Sequence, residues 1–205
     1  MAEDERTSIF YREKAAVLGE QYETVAPRLA ARLAALLSPG ARALDVGAGS
    51  GRDLACLLSN GLDAHGIEPC PELRELAARL HPEVAGRLVD ASLPELGRPF
   101  GGAFDGILLV AVLMHVPAPD LPGAARSLAE LLAPGGYLLS SVSARRPDLD
   151  AEHRDAGGRL FEPISADELL ALFVAAGLTP LDITTTGDAL GRPGHEWTEA
   201  LFARR

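Results

Sequence analysis

A chain of 205 residues is the size of one domain with a single substantial core. With 19 Lys and Arg against 29 Asp and Glu, the formal net charge is −10, which argues against a large nucleic-acid footprint, since that requires a basic face to displace counterions. The cysteines Cys56 and Cys70 are too few and too isolated for a disulfide framework or a zinc site, so no metal centre is expected. The N-terminus is polar and no apolar run approaches ~18 residues, which predicts neither a signal peptide nor a membrane span, and a cytoplasmic protein.

Residues 1–10 are charged and are expected to fray. Ile9 to Glu23 reads as a weakly apolar helix carrying Phe10, Tyr11 and Tyr22. Thr24 is a candidate cap for the next helix, with Pro27 in its first turn and Val25, Leu29, Leu33, Leu36 and Leu37 on one face, up to Pro39-Gly40. Ala43 to Val46 reads as a short buried strand, followed by Gly47, Gly49 and Gly51 and by a helix from Arg52 to Leu58 that stops at Asn60-Gly61. A second strand, Asp63 to Ile67, runs into Glu68, and Pro71 opens a helix that His81-Pro82 ends. Arg87 to Val89 is a third strand, ending at Asp90. The fourth and most apolar strand starts at Phe104 and is read as running past Val110 towards His115. Asp120 and Pro122 begin a helix through Leu132, and Tyr137 to Val142 forms a fifth strand after Pro134-Gly135-Gly136. Residues 143–162 have no apolar period and read as a mobile insertion. Ser165 and Glu168 form a capping box for a helix that Gly177 terminates. Leu181 to Thr186 and Glu196 to Ala203 are two final strands that pair antiparallel. Strands alternating with helices over short links imply parallel pairing and right-handed crossovers.

The strand, glycine turn and helix start at residues 43–52 describe a nucleotide or nucleoside pocket, because the turn brings main-chain N–H groups and a positive helix end to a ligand. The spacing is G-x-G-x-G, not the G-x-G-x-x-G of dinucleotide sites, and Asp45 would repel a pyrophosphate. A ligand carrying an ammonium and a sulfonium suits it better. Here the chain resembles the class I methyltransferases that use S-adenosylmethionine, whose D/E-x-G-x-G-x-G signature is met at Asp45, Gly47, Gly49 and Gly51. The resemblance implies an α/β, Rossmann-like, seven-stranded, mostly parallel sheet of order 3-2-1-4-5-7-6 with an antiparallel last strand. It covers residues 24–205 as the core of a single domain spanning 1–205, with 1–23 as a helical lid. It further implies that Asp45 helps hold the methionine amino group while the backbone from Gly47 through Ala48 and Gly49 to Gly51 approaches the ligand. Glu68, next to Pro69, is a suitable acceptor for two ribose hydroxyls. Asp90 suits the adenine amino group, with the Ala91 N–H on the ring, and Val110 falls beside the reactive methyl.

His115 follows the fourth strand and is either a base for an attacking oxygen or nitrogen, or a brace for the loop before Pro117. Tyr11 and Tyr22 resemble the leader that folds over the pocket in some bacterial members; Arg145, Arg192 and Trp197 sit in loops and strand ends on the same side. Arg145, Arg146 and Arg192 are expected either to capture an anionic acceptor or to pair with Asp148, Asp150 and Asp188. The N/D-P-P-Y motif of amino-methylating nucleic-acid enzymes is replaced by Ala111-Val112-Leu113-Met114. The reading is therefore methyl transfer to O, N or another nucleophile of a small molecule, with no nucleic-acid or membrane partner, by a monomer or homodimer. Two alternatives stand beside it: a non-catalytic module that binds S-adenosylmethionine, and a NAD-dependent oxidoreductase, which Asp45 and the glycine spacing disfavour.

Overall fold

The computed structural model describes residues 4–205. Helix α1 (Glu5–Glu23) starts earlier than its weak amphipathicity suggests. The cause is Asp4, whose carboxylate accepts from the Thr7 backbone N–H at 2.9 Å and caps the first turn. Residues 5–10 are thus helical, not frayed, while 1–3 lie outside the described residues. Helix α2 (Arg28–Ala34) begins after Pro27 and has no side-chain cap. Thr24 instead closes α1, its hydroxyl donating to the Gln21 carbonyl at 2.7 Å. Leu36 and Leu37 fall in the turn beyond α2.

The central elements follow as β1 (Arg42–Val46), α3 (Arg52–Ser59), β2 (Asp63–Ile67), α4 (Pro71–Leu80) and β3 (Leu88–Val89). Strand β4 (Phe104–Val110) ends sooner than expected: Ala111 has φ 61°, and a short 3-10 turn at Leu113–His115 carries the chain across the sheet edge. Helix α5 (Leu121–Leu131) leads directly into β5 (Leu132–Arg145), a strand longer than the sequence pattern suggests because pairing resumes on both sides of the Pro134-Gly135 irregularity. Helix α6 (Ala166–Ala175) has the expected capping box at Ser165 and Glu168. The chain ends with β6 (Leu178–Gly187) and β7 (Glu196–Arg204).

The 7 strands form one sheet in the order β3-β2-β1-β4-β5-β7-β6, parallel except for β7, which runs antiparallel to both neighbours. Alternate residues of the strands face opposite layers. Leu44, Ile107, Leu109 and Leu138 pack towards α5 and α6 with Leu128, Leu169 and Phe173. Ala43, Leu108, Leu139 and Leu201 pack towards α2 and α3 with Leu29, Leu33, Leu54 and Leu57. Helix α1 lies on α4 outside that second layer. This arrangement sets the C-terminal ends of β1, β2 and β4 side by side, with α1 above them.

Residues 143–162 are tied to α1. The Leu160 N–H donates to Thr7 Oγ1 at 2.9 Å, and Arg154 forms an ion pair with Asp4 at 2.8 Å.

Candidate active site

The glycine turn is shaped by its neighbours as well as by backbone dihedrals. Gly47 has φ 70°, and a Cβ there would lie 2.6 Å from a methyl of Val112. Gly51 has φ 83°, and a Cβ would meet that of Ala77 at 3.0 Å. Side chains at either place would push the turn away from the sheet. The N–H groups of Gly47 and Ala48 both donate to the Ile67 carbonyl, at 2.9 and 3.0 Å, which anchors the turn to the end of β2. Gly47, Ala48 and Gly49 then form one side of a cavity of about 380 Å³, whereas Gly51 lies beneath it as the cap of α3.

Asp45 sits on the cavity floor, 2% exposed, and its Oδ2 has no hydrogen-bond partner. Burial raises this carboxyl well above the ordinary aspartate range; the nearby Asp53 charge adds to the effect and Arg52 opposes it. Arg52 shares the wall. Its Nη1 donates to the Tyr22 carbonyl at 2.8 Å and its Nη2 to Asp53 at 2.6 Å, but its buried Nε–H has no acceptor. One cavity therefore contains a buried acceptor and a buried donor, both without partners. Such groups carry a cost unless a ligand completes them.

Glu68, at the end of β2, is 5% exposed and ties two backbone segments together. Its Oε2 accepts from the Gly49 N–H and its Oε1 from the Cys70 N–H, each at 2.9 Å. Glu68, Pro69, Ala91 and Val110 all line the cavity. Asp90 does not: its side chain is 70% exposed and pairs with Arg74 at 3.3 Å. Asp90, expected at the adenine, thus stands outside the cavity, and the reason is local. Strand β3 has only two paired residues, so its end is free to turn the carboxylate towards solvent and Arg74.

At the other end of the cavity, Tyr11 from α1 and His115 meet. The His115 Nδ1–H donates to the Leu160 carbonyl at 2.6 Å, which leaves Nε2 to accept from the Tyr11 hydroxyl at 2.9 Å. The Phe161 ring packs edge-on against the imidazole, with centroids 4.8 Å apart. Burial pushes His115 down to about 4, the Leu160 carbonyl working against the shift, so the ring is neutral near pH 7. Burial raises the Tyr11 phenol, with Arg159 opposing it, and raises that of Tyr22 well above the usual value. The Tyr22 ring stands over Gly49. Helix α1 thus touches both ends of the cavity.

Three arginines line the same end: Arg146, Arg159 and Arg192. Arg145 is not among them. It is exposed and faces Glu196 at 3.7 Å, because strand alternation directs it away from the side that Arg146 occupies. Arg192 holds Asp188 through two bonds, at 2.9 and 2.5 Å, and Trp197 Nε1 donates to the same carboxylate at 2.9 Å. Arg192, Asp188 and Trp197 all line the cavity. On β7, Glu199 is 4% exposed and is held by Arg28, which donates from Nη1 at 3.0 Å and also from Nη2. Among the described residues no helix is long and apolar enough to cross a membrane, and no cluster of His, Cys, Asp and Glu could hold a metal ion.

A family model described as a methyltransferase domain matches residues 18–183. The chain belongs to this methyltransferase-domain family. It is 38% identical over 119 residues to the ubiquinone biosynthesis O-methyltransferase of Xanthomonas axonopodis pv. citri, a match covering 56% of this chain and 48% of that one. The chain spans about half the length of the curated relatives it matches. Among solved structures, it is similar to the 1,6-didemethyltoxoflavin-N1-methyltransferase of Burkholderia thailandensis, crystallised with 1,6-didemethyltoxoflavin and S-adenosylhomocysteine. That pair has 28% identity and a TM-score of 0.68, covering 94% of this chain and 89% of the other. The magnesium protoporphyrin IX methyltransferase of Synechocystis PCC 6803 shares the fold, with a TM-score of 0.71 at 20% identity, over 92% of this chain and 84% of that one. The sheet order and the antiparallel β7 are those of the class I, Rossmann-like methyltransferase fold.

Sequence reasoning did not single out Arg52, Arg159, Phe161 or the pair of Glu199 and Arg28. Arg52 carried a usable signal, since it directly follows the last glycine of the turn. Arg159 and Phe161 carried none: they lie in the aperiodic segment, and only the fold brings them beneath α1.

Proposed function

We propose that this protein is an S-adenosylmethionine-dependent methyltransferase acting on an oxygen, nitrogen or other nucleophile of a small molecule. The observation that carries the reading is the pair of incomplete groups in one cavity, the Asp45 Oδ2 acceptor and the Arg52 Nε–H donor. An α-amino acid end supplies the complement of both, an ammonium for Asp45 and a carboxylate for Arg52. The residues present therefore fit the cofactor. Glu68, a carboxylate at the end of β2 that lines the cavity, would hold the ribose hydroxyls. Ala91 and Val110 would flank the remainder of the nucleoside.

When bound, the cofactor supplies an electrophilic methyl group on a positively charged sulfur. The chain supplies placement. Tyr11, with its hydroxyl fixed on His115, and the aromatic side chains beside it bound the space an acceptor would fill, and positioning of this kind is worth several kcal/mol. His115 acts as a positioning residue: its Nδ1–H is committed to Leu160 and its Nε2 to Tyr11, so it fixes the direction of the Tyr11 hydroxyl. The relatives named for O- and N-methylation support the reaction class, and the net charge of −10 favours a small molecule over nucleic acid.

Calorimetry with S-adenosylmethionine, S-adenosylhomocysteine and NAD tests the proposal directly. Saturable micromolar-range binding of the first two and none of NAD is expected, and transfer of labelled methyl into a metabolite extract should follow. Saturable NAD binding with no affinity for the sulfonium ligand would overturn it.

A further inference from the structure

The acceptor end of the cavity has a charge arrangement that the net charge of the chain conceals. Arg146 and Arg159 line the cavity, but the carboxylates that fix them do not. Asp148 holds Nε and Nη2 of Arg146 at 3.1 and 2.7 Å, and Asp155 holds Nε and Nη2 of Arg159 at 2.9 and 2.6 Å. Each ion pair thus has its positive member in front. Arg192 is also held on one edge, its Nε and Nη2 taken by Asp188, but there the carboxylate lines the cavity beside it; Nη1 of Arg192 makes no bond with the described residues. Nη1 of Arg146 is likewise unengaged, and Arg159 interacts with the Tyr11 phenol. Ring contacts stiffen the set. The Arg146 guanidinium lies 3.8 Å from the Phe161 centroid, and that of Arg159 lies 4.4 Å from Phe10 and 5.2 Å from Phe161.

Guanidinium groups held on one edge and stacked on a face lose little entropy when the other edge binds a ligand. Their donors match the oxygens of a carboxylate or a similar small oxyanion. The overall charge of −10 offers no long-range attraction to an anion, so capture depends on such short-range groups. The aromatic side chains of Tyr11, Phe161 and Trp197 share the walls with the carboxylates of Asp188 and Glu199, each tied to an arginine, and with Met114 and Leu190.

We infer that the methyl acceptor is a planar aromatic ring bearing an oxyanion, with the anion on the open guanidinium edges of Arg146 and Arg192, beside the Arg159 charge, and the ring against Tyr11, Phe161 and Trp197. This rests on the methyltransferase reading and names the substrate class of the same site.

The test titrates aromatic carboxylates (hydroxybenzoates and hydroxynaphthoates), each against its neutral carboxamide, into protein saturated with S-adenosylhomocysteine. The expected result is at least one ring whose carboxylate binds about tenfold or more tightly than the amide. Arg159→Gln and Arg192→Leu should reduce that preference to about twofold or less, whereas Arg145→Leu, on the exposed side of the strand, should preserve it. If carboxylate and amide bind alike across the panel, or if no carboxylate binds, the inference is overturned; neither comparison needs a variant. Failure of S-adenosylhomocysteine to bind the unaltered protein would instead remove the methyltransferase reading.

Discussion

Replacing Glu68 should show that one carboxylate has two duties. It accepts from the N–H groups of Gly49 and Cys70 at 2.9 Å each, in a site 5% open to solvent. In Glu68→Gln the side chain keeps its volume but offers one oxygen and one NH₂. One of the two N–H groups loses its partner, at about 1–3 kcal/mol, and the other exchanges a charged acceptor for a neutral one, at about 1 kcal/mol. The cofactor-free protein should therefore lose about 2–4 kcal/mol of stability, and a denaturant titration followed by far-UV circular dichroism measures this. Glu68→Ala should cost at least as much. If the carboxylate also takes the ribose hydroxyls, S-adenosylhomocysteine affinity should fall roughly tenfold to a hundredfold in both variants, equivalent to about 1.5–3 kcal/mol. Unchanged cofactor-free stability would refute the structural part of this reasoning, and unchanged affinity the ribose part. The two outcomes are independent.

Two further substitutions follow from the buried titratable groups. Asp45 has its folded-state value raised, so the carboxylate form works against folding above that value; Asp45→Asn should raise the melting temperature of the cofactor-free protein at neutral pH while abolishing most affinity for S-adenosylmethionine. An ammonium placed on Asp45 would favour ionisation, so binding should release a proton and strengthen as pH rises above the ordinary aspartate range; calorimetry in buffers of different ionisation enthalpy reads this, and a pH-independent affinity would contradict it. His115 is depressed to about 4 from a usual 6.5. The unfolded chain takes up the proton first as pH falls, so the stability that neutral His115 permits is complete above about 6.5 and is lost down to about 4, a loss on the order of 3 kcal/mol. His115→Gln should flatten the stability profile over that interval, and a parallel slope in the variant would contradict the assignment.

The half of the cavity proposed for the cofactor was legible in the sequence because its residues stand at fixed offsets from regular elements. Asp45, Glu68, Ala91 and Val110 are each at or just beyond a strand end, and in a parallel sheet strand ends converge. Asp90 also ends a strand, yet it stands outside the cavity. A strand end sets the position of a Cα, not the direction of a side chain, and on the short outer strand β3 Arg74 was available to draw the carboxylate outwards. The early stop of β4 was also hidden. Residues 104–116 read as one apolar run, but Ala111 adopts a left-handed backbone, and no periodicity encodes that.

The acceptor half was readable only in part: Tyr11, His115, Arg146, Arg192 and Trp197 were named from the sequence, but Arg159 and Phe161 were not, for a different physical reason. Its arginines come from the end of β5, from the segment after it and from the loop before β7. No repeat links those places; ion pairs that close only in the folded chain do. Asp4, Asp148, Asp155 and Asp188 each hold an arginine, which takes four acidic and four basic charges out of the count that made the molecule look simply acidic. Net charge therefore bounds long-range behaviour, such as repulsion from nucleic acid, but says nothing about the sign of the field inside a cavity. That sign is decided by which partner of each pair stands in front. At Arg146 and Arg159 the cation does, because the carboxylates sit behind on the loop that α1 clamps through Thr7 and Asp4. The same clamp links the ends of the cavity, since α1 brings Tyr22 over the glycine turn and Tyr11 onto His115. A shift of α1 would therefore open the acceptor end and uncover the glycine turn together.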